Sequence, residues 1–555
     1  MLFQTKLMYY LRNRHRGMII SILFAVGVVY MPYINNALFF DDLPFFGNAV
    51  SHYVQSTFIF ELRWLPYASL GWTWKIFSDT PLPLHFGNLL MHAANTLLVF
   101  VLLQQLIHLS LSKDQNNLTR ISFFNSHANW GAWLGALCFA CHPVGVYAVG
   151  YVVQRSTLMA TFFILAMQLA YVRGLLNTQK LVQYTCLLLT VLFYFLAVFS
   201  KEHSLMAPAL LVAITLLFKP HIQVNWRALA ITWLWFIAIA IFVTLKAKGV
   251  FGTAYEHDAA ALFEQQAIVN NTENLHLLSV FTQAGLFFKY LFLWLIPNPA
   301  WMSIDIREAF ANSVSAWQNW LKVACFIAYG VIALRLLLKR GKAGLIGFAL
   351  LYPWLMFMVE FSSVRVQEPF VLYRSYLWMP GLLLLIPLAL DSLRNKKARI
   401  ITFVIIVGLI PLSWNRLWVF ADDYRLWNDA AVLLKNDTVP GGARIFYNRG
   451  LAELGKQKNR EAIVDFKRVI AIDPKIDQAH ANLGSAYLST SQFALGLESF
   501  NKAIAINPEY AQAYFGRAFA LKRLGNNAES TIALKKSCAL KNVSSCMIIS
   551  MSQKK

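Results

Sequence analysis

The feature that most limits the fold is a series of apolar runs, each about as long as a bilayer is thick, separated by short clusters of Lys and Arg. Charged residues make up only 14% of the 555 positions, and 58% are hydrophobic. A soluble globular chain carries roughly 25% charged residues. The net charge of +22 lies in the clusters between runs, the pattern of cytoplasmic loops and not of a nucleic-acid surface. Lys6, Arg12, Arg14 and Arg16 precede the first run, Met18 to Ile34, and place the N-terminus in the cytoplasm. That run reads as a retained anchor, because no small-residue cleavage site follows it.

Later spans are expected near 85–108, 130–146, 157–171, 181–199, up to 218, up to 245, 320–338, 345–361, 376–390 and 400–417. This predicts an all-α, polytopic membrane domain over 1–418, with about eleven helices of ~20 residues. Residues 38–84 and 246–317 are the expected external loops, and Trp64, Tyr67, Trp72 and Trp74 suggest interfacial helices in the first. The run Phe287–Ile296 is short for a span and reads as re-entrant or interfacial. If it crosses, the parity changes and the C-terminus moves to the cytoplasm.

Past a linker helix at 419–442, the composition becomes soluble. Asp473-Pro474 and Asn507-Pro508 stand 34 residues apart, as do Gly450 and Gly484. That period predicts a tetratricopeptide α-solenoid over 443–555, of about three repeats. Such a stack presents a concave peptide-binding face or a plain scaffold contact. Cys538 and Cys546, at its end, are either a disulfide formed in an oxidising compartment or two unrelated small residues.

Two adjacent carboxylates, Asp41 and Asp42, follow the first span on the outer face, where acids beside a bilayer need a reason. His85, Asn88, His92 and Asn95 share one face of the second span. Gln154, Arg155, Lys201, Glu202 and Arg374 fall at span ends on the outer side, against the positive-inside bias. Arg63, His142, Lys289, Tyr290 and Glu368 complete a supporting polar set. Cations facing a lipid phosphate, with a carboxylate taking a hydroxyl proton, suit transfer from a phosphate-linked donor. No metal is assigned, since Asp41, Asp42, Glu202, His85 and His92 lack the spacing of a metal motif, although a divalent ion stays open.

Several segments, in this order, resemble the bacterial tetratricopeptide-bearing GT-C glycosyltransferases, and the eukaryotic transmembrane and tetratricopeptide O-mannosyltransferases. They are Asp41-Asp42, His85 to His92, Cys141-His142-Pro143-Val144, Val153-Gln154-Arg155, Ser200-Lys201-Glu202, Tyr290 with Pro297, Glu360 to Ser363, Tyr373 to Leu377, and Arg425-Leu426-Trp427. The resemblance implies a GT-C fold and an inverting enzyme using a polyprenyl-phosphate sugar. Asp41 or Asp42 is then the base, and Arg155, Lys201 and Arg374 hold the phosphate. The chain departs from the eukaryotic pattern at Gly145, Tyr147 and Leu372, which leaves sugar and acceptor open. The expected setting is the bacterial inner membrane with the repeats in the periplasm, presenting an exported acceptor protein such as a pilin and engaging no nucleic acid. Alternatives are a transferase acting on a lipid or polysaccharide, and a non-enzymatic scaffold or transporter whose repeats bind partners.

Overall fold

The computed structural model describes residues 2–55, 59–77, 80–111, 126–219, 222, 225–246, 274–366, 368–393, 396–437, 439 and 441–553. The basic residues Lys113, Arg120 and Arg394, and most of the expected loop between Lys246 and Leu275, lie outside these. The described residues are helical, with no strand among them. They divide into two compact units, Met1–Ile304 with Ala309–Ala421, and Asp305–Glu308 with Asp422–Lys555.

The longer helices of the first unit are α1 (Leu2–Tyr30), α2 (Trp64–Phe77), α3 (Pro81–Leu111), α4 (Ser126–Cys141), α5 (Arg155–Leu176), α6 (Lys180–Ser200) and α7 (Ala207–Phe218). They continue with α8 (Trp226–Lys246), α9 (Leu275–Leu295), α10 (Trp317–Leu338), α11 (Gly341–Phe357), α12 (Leu385–Leu393) and α13 (Lys396–Val419). Among the described residues nine helices are long and apolar enough to cross a membrane, or ten with one bent pair. The expectation was about eleven, and it differs from these in four places.

The stretch expected as one span at 130–146 is broken. Asn129–Cys141 and Pro143–Val149 meet at 48°. His142 is extended there, as the residue before a proline must be. The apolar helices at Glu202–Phe218 and Leu382–Asp391 are shorter than a regular span. In the other direction, the short run at Phe287–Ile296 is the second half of the 21-residue α9. Both ends of α9 meet one segment, 361–375. His276 bonds the Phe361 carbonyl at 2.8 Å, and Trp294 Nε1 donates to Ser375 Oγ at 3.0 Å. The helix therefore lies along that segment.

The second unit begins with α14 (Asp423–Leu433), so the expected linker helix belongs to it. Helix pairs follow: α15 (Gly442–Gly455) with α16 (Asn459–Ile472), α17 (Asp477–Ser489) with α18 (Phe493–Ile506), and α19 (Ala511–Arg523) with α20 (Asn527–Ala539), then α21 (Val543–Gln553). Ala462, Phe466, Leu483, Ala486 and Tyr487 form one shared core between neighbouring pairs. Glycines permit the close approach. A Cβ at Gly484 would meet the Phe500 ring at 2.9 Å, and one at Gly516 would meet it at 2.2 Å. Cys538 and Cys546 are joined in a disulfide that ties α20 to α21, with Cα atoms 4.8 Å apart.

Candidate functional site

The acid pair is presented by a sharp turn. Phe40 has φ +53°, in the left-handed region, where a bulky residue is rare. Phe39 is buried and stacks on Tyr151, ring centroids 5.1 Å apart. The two carboxylates then separate by environment. Asp41 is exposed, and its backbone N–H donates to Tyr151 Oη at 2.9 Å. Asp42 is fully buried. Its Oδ1 accepts from Val153 N at 2.8 Å and its Oδ2 from Phe39 N at 3.4 Å. Burial pushes the Asp42 carboxyl up to about 8, against the pull of those backbone N–H groups, and the nearby Asp41 adds to the rise.

A cationic network lies beside this pair. Lys201 follows the C-terminus of α6 in extended backbone. Its Nζ donates to Gln154 Oε1 at 2.8 Å and Thr157 Oγ1 at 2.7 Å, and sits 4.7 Å from the centre of the Tyr373 ring. Burial holds this ammonium well below the usual lysine range, and Arg63, Arg374 and Arg365 push it the same way. Arg63 forms a two-pronged pair with Glu202, one arm at 2.9 Å. Its own left-handed turn, φ +64°, is fixed by a bond from Arg63 N to the Phe199 carbonyl.

His203 links this pair to a second one. Its Nδ1 lies 3.5 Å from Glu202 Oε1, and its Nε2 lies 3.3 Å from Glu360 Oε1 and 3.3 Å from Arg365 Nη2. Glu360 Oε2 in turn meets Arg365 at 3.4 Å and Arg374 at 3.2 Å. Arg63, Lys201, Arg365 and Arg374 are the basic side chains of this network, and Glu202 and Glu360 lie among them. One stretch joins the acids to the cations. Tyr151 and Val153 contact the acid pair, and Gln154 holds Lys201.

A protein O-mannosyl-transferase of Caenorhabditis elegans, F38B6.6, is 21% identical over 432 residues, 76% of this chain and 54% of that protein. Human protein O-mannosyl-transferase TMTC3 is 22% identical over 416 residues, 69% of this chain and 43% of that protein. The chain is similar to the protein O-mannosyl-transferases. It spans about half the length of these relatives, and the likeness reaches well beyond the repeats. The tetratricopeptide repeat family matches 443–476 and 477–510. Among solved structures, the second tetratricopeptide domain of Spaghetti (RPAP3), bound to an HSP90 peptide, covers 18% of this chain and 91% of its own, with 26% identity and a TM-score of 0.18.

The remaining expected residues fall around the network. Arg155 is committed to the scaffold. Its Nε bonds Asn88 Oδ1 at 2.9 Å, Nη2 the Leu84 carbonyl at 2.7 Å, and Nη1 the Ser69 carbonyl and Thr73 Oγ1, each at 3.3 Å. It was expected on the phosphate, and its donors are instead directed at α2 and α3. Asn88 donates onward to the carbonyls of Val149, Tyr151 and Val152. His85 bonds the Asn36 carbonyl at 3.0 Å, and His92 bonds Tyr376 Oη at 2.7 Å. His142 stacks on Trp294 and bonds its carbonyl at 3.1 Å. Tyr290 pairs with the backbone of Val371. Lys289 lies 4.6 Å from the centre of the Phe370 ring, and Glu368 is half-buried in the same loop. Among the described residues no three His, Cys, Asp or Glu side chains converge as a metal would require.

His203 and Arg365 were not anticipated. Arg365 carried the same signal as Arg374, a cation on the face expected to be external. His203 carried none beyond its place next to Glu202.

The Asp42 environment gives a pH prediction. Its ordinary value is ~3.9; in the fold it is about 8. Between these values the unfolded chain is ionised while the folded chain keeps the proton. Stability from this group is therefore full below the ordinary value and is lost as pH rises towards about 8. Thermal unfolding of the detergent-purified chain is expected to show this decline, and Asp42→Asn to flatten it. An identical pH slope in the variant refutes the assignment.

Proposed function

We propose that the chain is a membrane glycosyltransferase that moves a sugar from a polyprenyl-phosphate carrier to a hydroxyl of an exported acceptor. The observation that supports it is the joining of an exposed carboxylate, through residues 151–154, to a largely buried network rich in basic side chains. Asp41 takes the proton of the acceptor hydroxyl. The acceptor oxygen forms its bond to the anomeric carbon from the face opposite the phosphate. The bond from that carbon to the phosphate oxygen breaks, and its electron pair leaves with the phosphate. Lys201, Arg374 and Arg365 hold the lipid phosphate and stabilise that charge. Asp42 and Arg155 are positioning residues: one fixes the turn that presents Asp41, the other fixes the start of α5.

The similarity to protein O-mannosyl-transferases supports a protein hydroxyl as acceptor, in this reading an exported protein such as a pilin recruited by the repeats. We place the site and the repeats on the periplasmic face of a bacterial inner membrane. The disulfide between Cys538 and Cys546 suits an oxidising compartment. The deciding experiment is mass spectrometry of envelope proteins and glycans from cells with the native chain and with its deletion. A sugar mass lost from a protein in the deletion supports the reading, and an unchanged glycan profile overturns it. The orientation has its own test. A periplasm-active reporter fused after Lys555 is expected to be active and one after Lys397 silent. Thiol labelling without reductant is expected to leave Cys538 and Cys546 unmodified, and two labelled thiols contradict a periplasmic repeat unit.

A further inference from the structure

A helix on the end of a repeat stack needs a polar outer face to stay soluble. The last helix described in the second unit, α21, is built the other way round. Ser545 is fully buried. Its Oγ donates to Ser537 Oγ at 2.7 Å, and Ser537 donates on to the Ala511 carbonyl at 2.8 Å. Cys546, next in sequence, is tied to Cys538 of α20. The small polar side of the helix thus faces the stack. Val543, Met547 and Met551 stand on its outer side, 71%, 57% and 67% exposed, and Ile548 is exposed with them. Their spacing of four sets them in one stripe along the helix. The disulfide therefore holds outward a face that burial alone would turn inward. An apolar stripe presented in this way marks a surface that binds something.

Charge selects the partner. On α20, Ile532 is 68% exposed, and Lys535 and Lys536 follow it at helical spacing on the same exposed side. Lys541, in the turn before α21, is exposed as well. No Asp or Glu occurs from Ser530 to Lys555. A second copy of the chain would meet this face with the same face. That contact would set lysine against lysine with no acid to pair them. An anionic lipid surface instead accepts both features. Apolar side chains enter at the level of the first acyl carbons. Lysine stems lie along the apolar surface while their ammonium groups reach the phosphates. The same chain carries helices long and apolar enough to cross a bilayer, so a lipid surface is present at high effective concentration.

We propose that α21 and the exposed side of α20 form a docking surface for an anionic bilayer, with Val543, Met547 and Met551 in the interface and Lys535, Lys536 and Lys541 on the lipid phosphates. The repeat unit then has an attachment to lipid at α21 in addition to its covalent junction at Asp422. This docking needs no particular reaction in the membrane unit, so its test is separate from the fate of the glycosyltransferase reading.

The test uses the full chain at one copy per nanodisc, in phosphatidylcholine alone and with about a third of the lipid replaced by phosphatidylglycerol. Hydrogen exchange, read by peptide mass spectrometry, follows the amides of residues 543–553. Exchange there is expected to slow about tenfold when phosphatidylglycerol is present, and about 0.5 M salt is expected to reverse the change. Each lysine near an anionic surface favours it about fivefold, so Lys535→Gln combined with Lys536→Gln is expected to abolish the difference between the two lipids. Met547→Ser combined with Met551→Ser is expected to do the same with the disulfide intact. A phosphatidylglycerol bearing a diazirine near its first acyl carbons is expected to label 543–553 in the native chain and not in the double serine variant. Equal exchange in the two lipids overturns the proposal. So does protection that appears only with two copies per disc, which assigns the stripe to a second copy of the chain.

Discussion

Asp41→Asn is expected to reduce sugar transfer about a hundred- to ten-thousand-fold, the usual contribution of a positioned general base. The fold is expected to be unaffected. Asp41 is exposed, its backbone N–H donates to Tyr151 Oη, and its side chain also bonds that hydroxyl, for which Asn keeps an oxygen acceptor. Asn fills the same space and offers an acceptor, but it does not take a proton. Asp42→Asn acts by another route. It changes a buried carboxyl whose two oxygens accept from backbone N–H groups, and since the Asn amide nitrogen cannot accept, the amount of folded protein falls with the glycan. The check is glycan mass per unit of purified chain in both variants. Full transfer by Asp41→Asn at normal abundance removes Asp41 from the mechanism.

Glu360→Ala is expected to be the most damaging single change to the membrane unit. Glu360 is 1% exposed and faces Arg365, Arg374 and His203. Removing one partner of a buried charge cluster leaves the others unpaired, at a cost of about 3–5 kcal/mol. That is a large part of the roughly 5–15 kcal/mol holding a typical domain together. Loss of monodisperse protein in detergent, or a marked fall in melting temperature, is the expected readout. Pairing the change with Arg365→Met removes one of the stranded charges and is expected to recover part of the loss. An unchanged melting temperature for Glu360→Ala contradicts the network.

Much of this was legible in residue spacing. The repeat period depends on small residues where helices touch, and Gly450 and Gly484 do face the rings of Phe466 and Phe500. The helical character of the membrane unit followed from run length. Helix α9 was harder to see, because Ser279, Thr282 and Gln283 interrupt its hydropathy. The structure explains them. Gln283 donates to the Pro369 carbonyl at 3.0 Å, and Thr282 Oγ1 accepts from Ala311 N at 2.9 Å. Polar side chains satisfied by distant backbone look like loop residues in a linear reading. Arg155 illustrates the same gap. Its charge and position suggested an anion, whereas its carbonyl partners at Leu84 and Ser69 are invisible in sequence. The acid pair gave no hint that one member is exposed and the other sealed, since that difference comes from the packing of Phe39 on Tyr151.

The stretch from Tyr151 to Gln154 has a mechanical consequence. It is a single short strut, with the acid proposed as proton acceptor pinned at one end and the cation proposed for the phosphate at the other. The span between the two halves of the chemistry is therefore set by covalent backbone and not by a hinge. Such a centre does not adjust its reach to a bulkier acceptor by swinging an arm. Acceptor range in chains of this kind is expected to evolve in the surrounding loops and the repeats, with the strut conserved in length. A one-residue insertion there is expected to silence the protein while leaving both ends chemically intact.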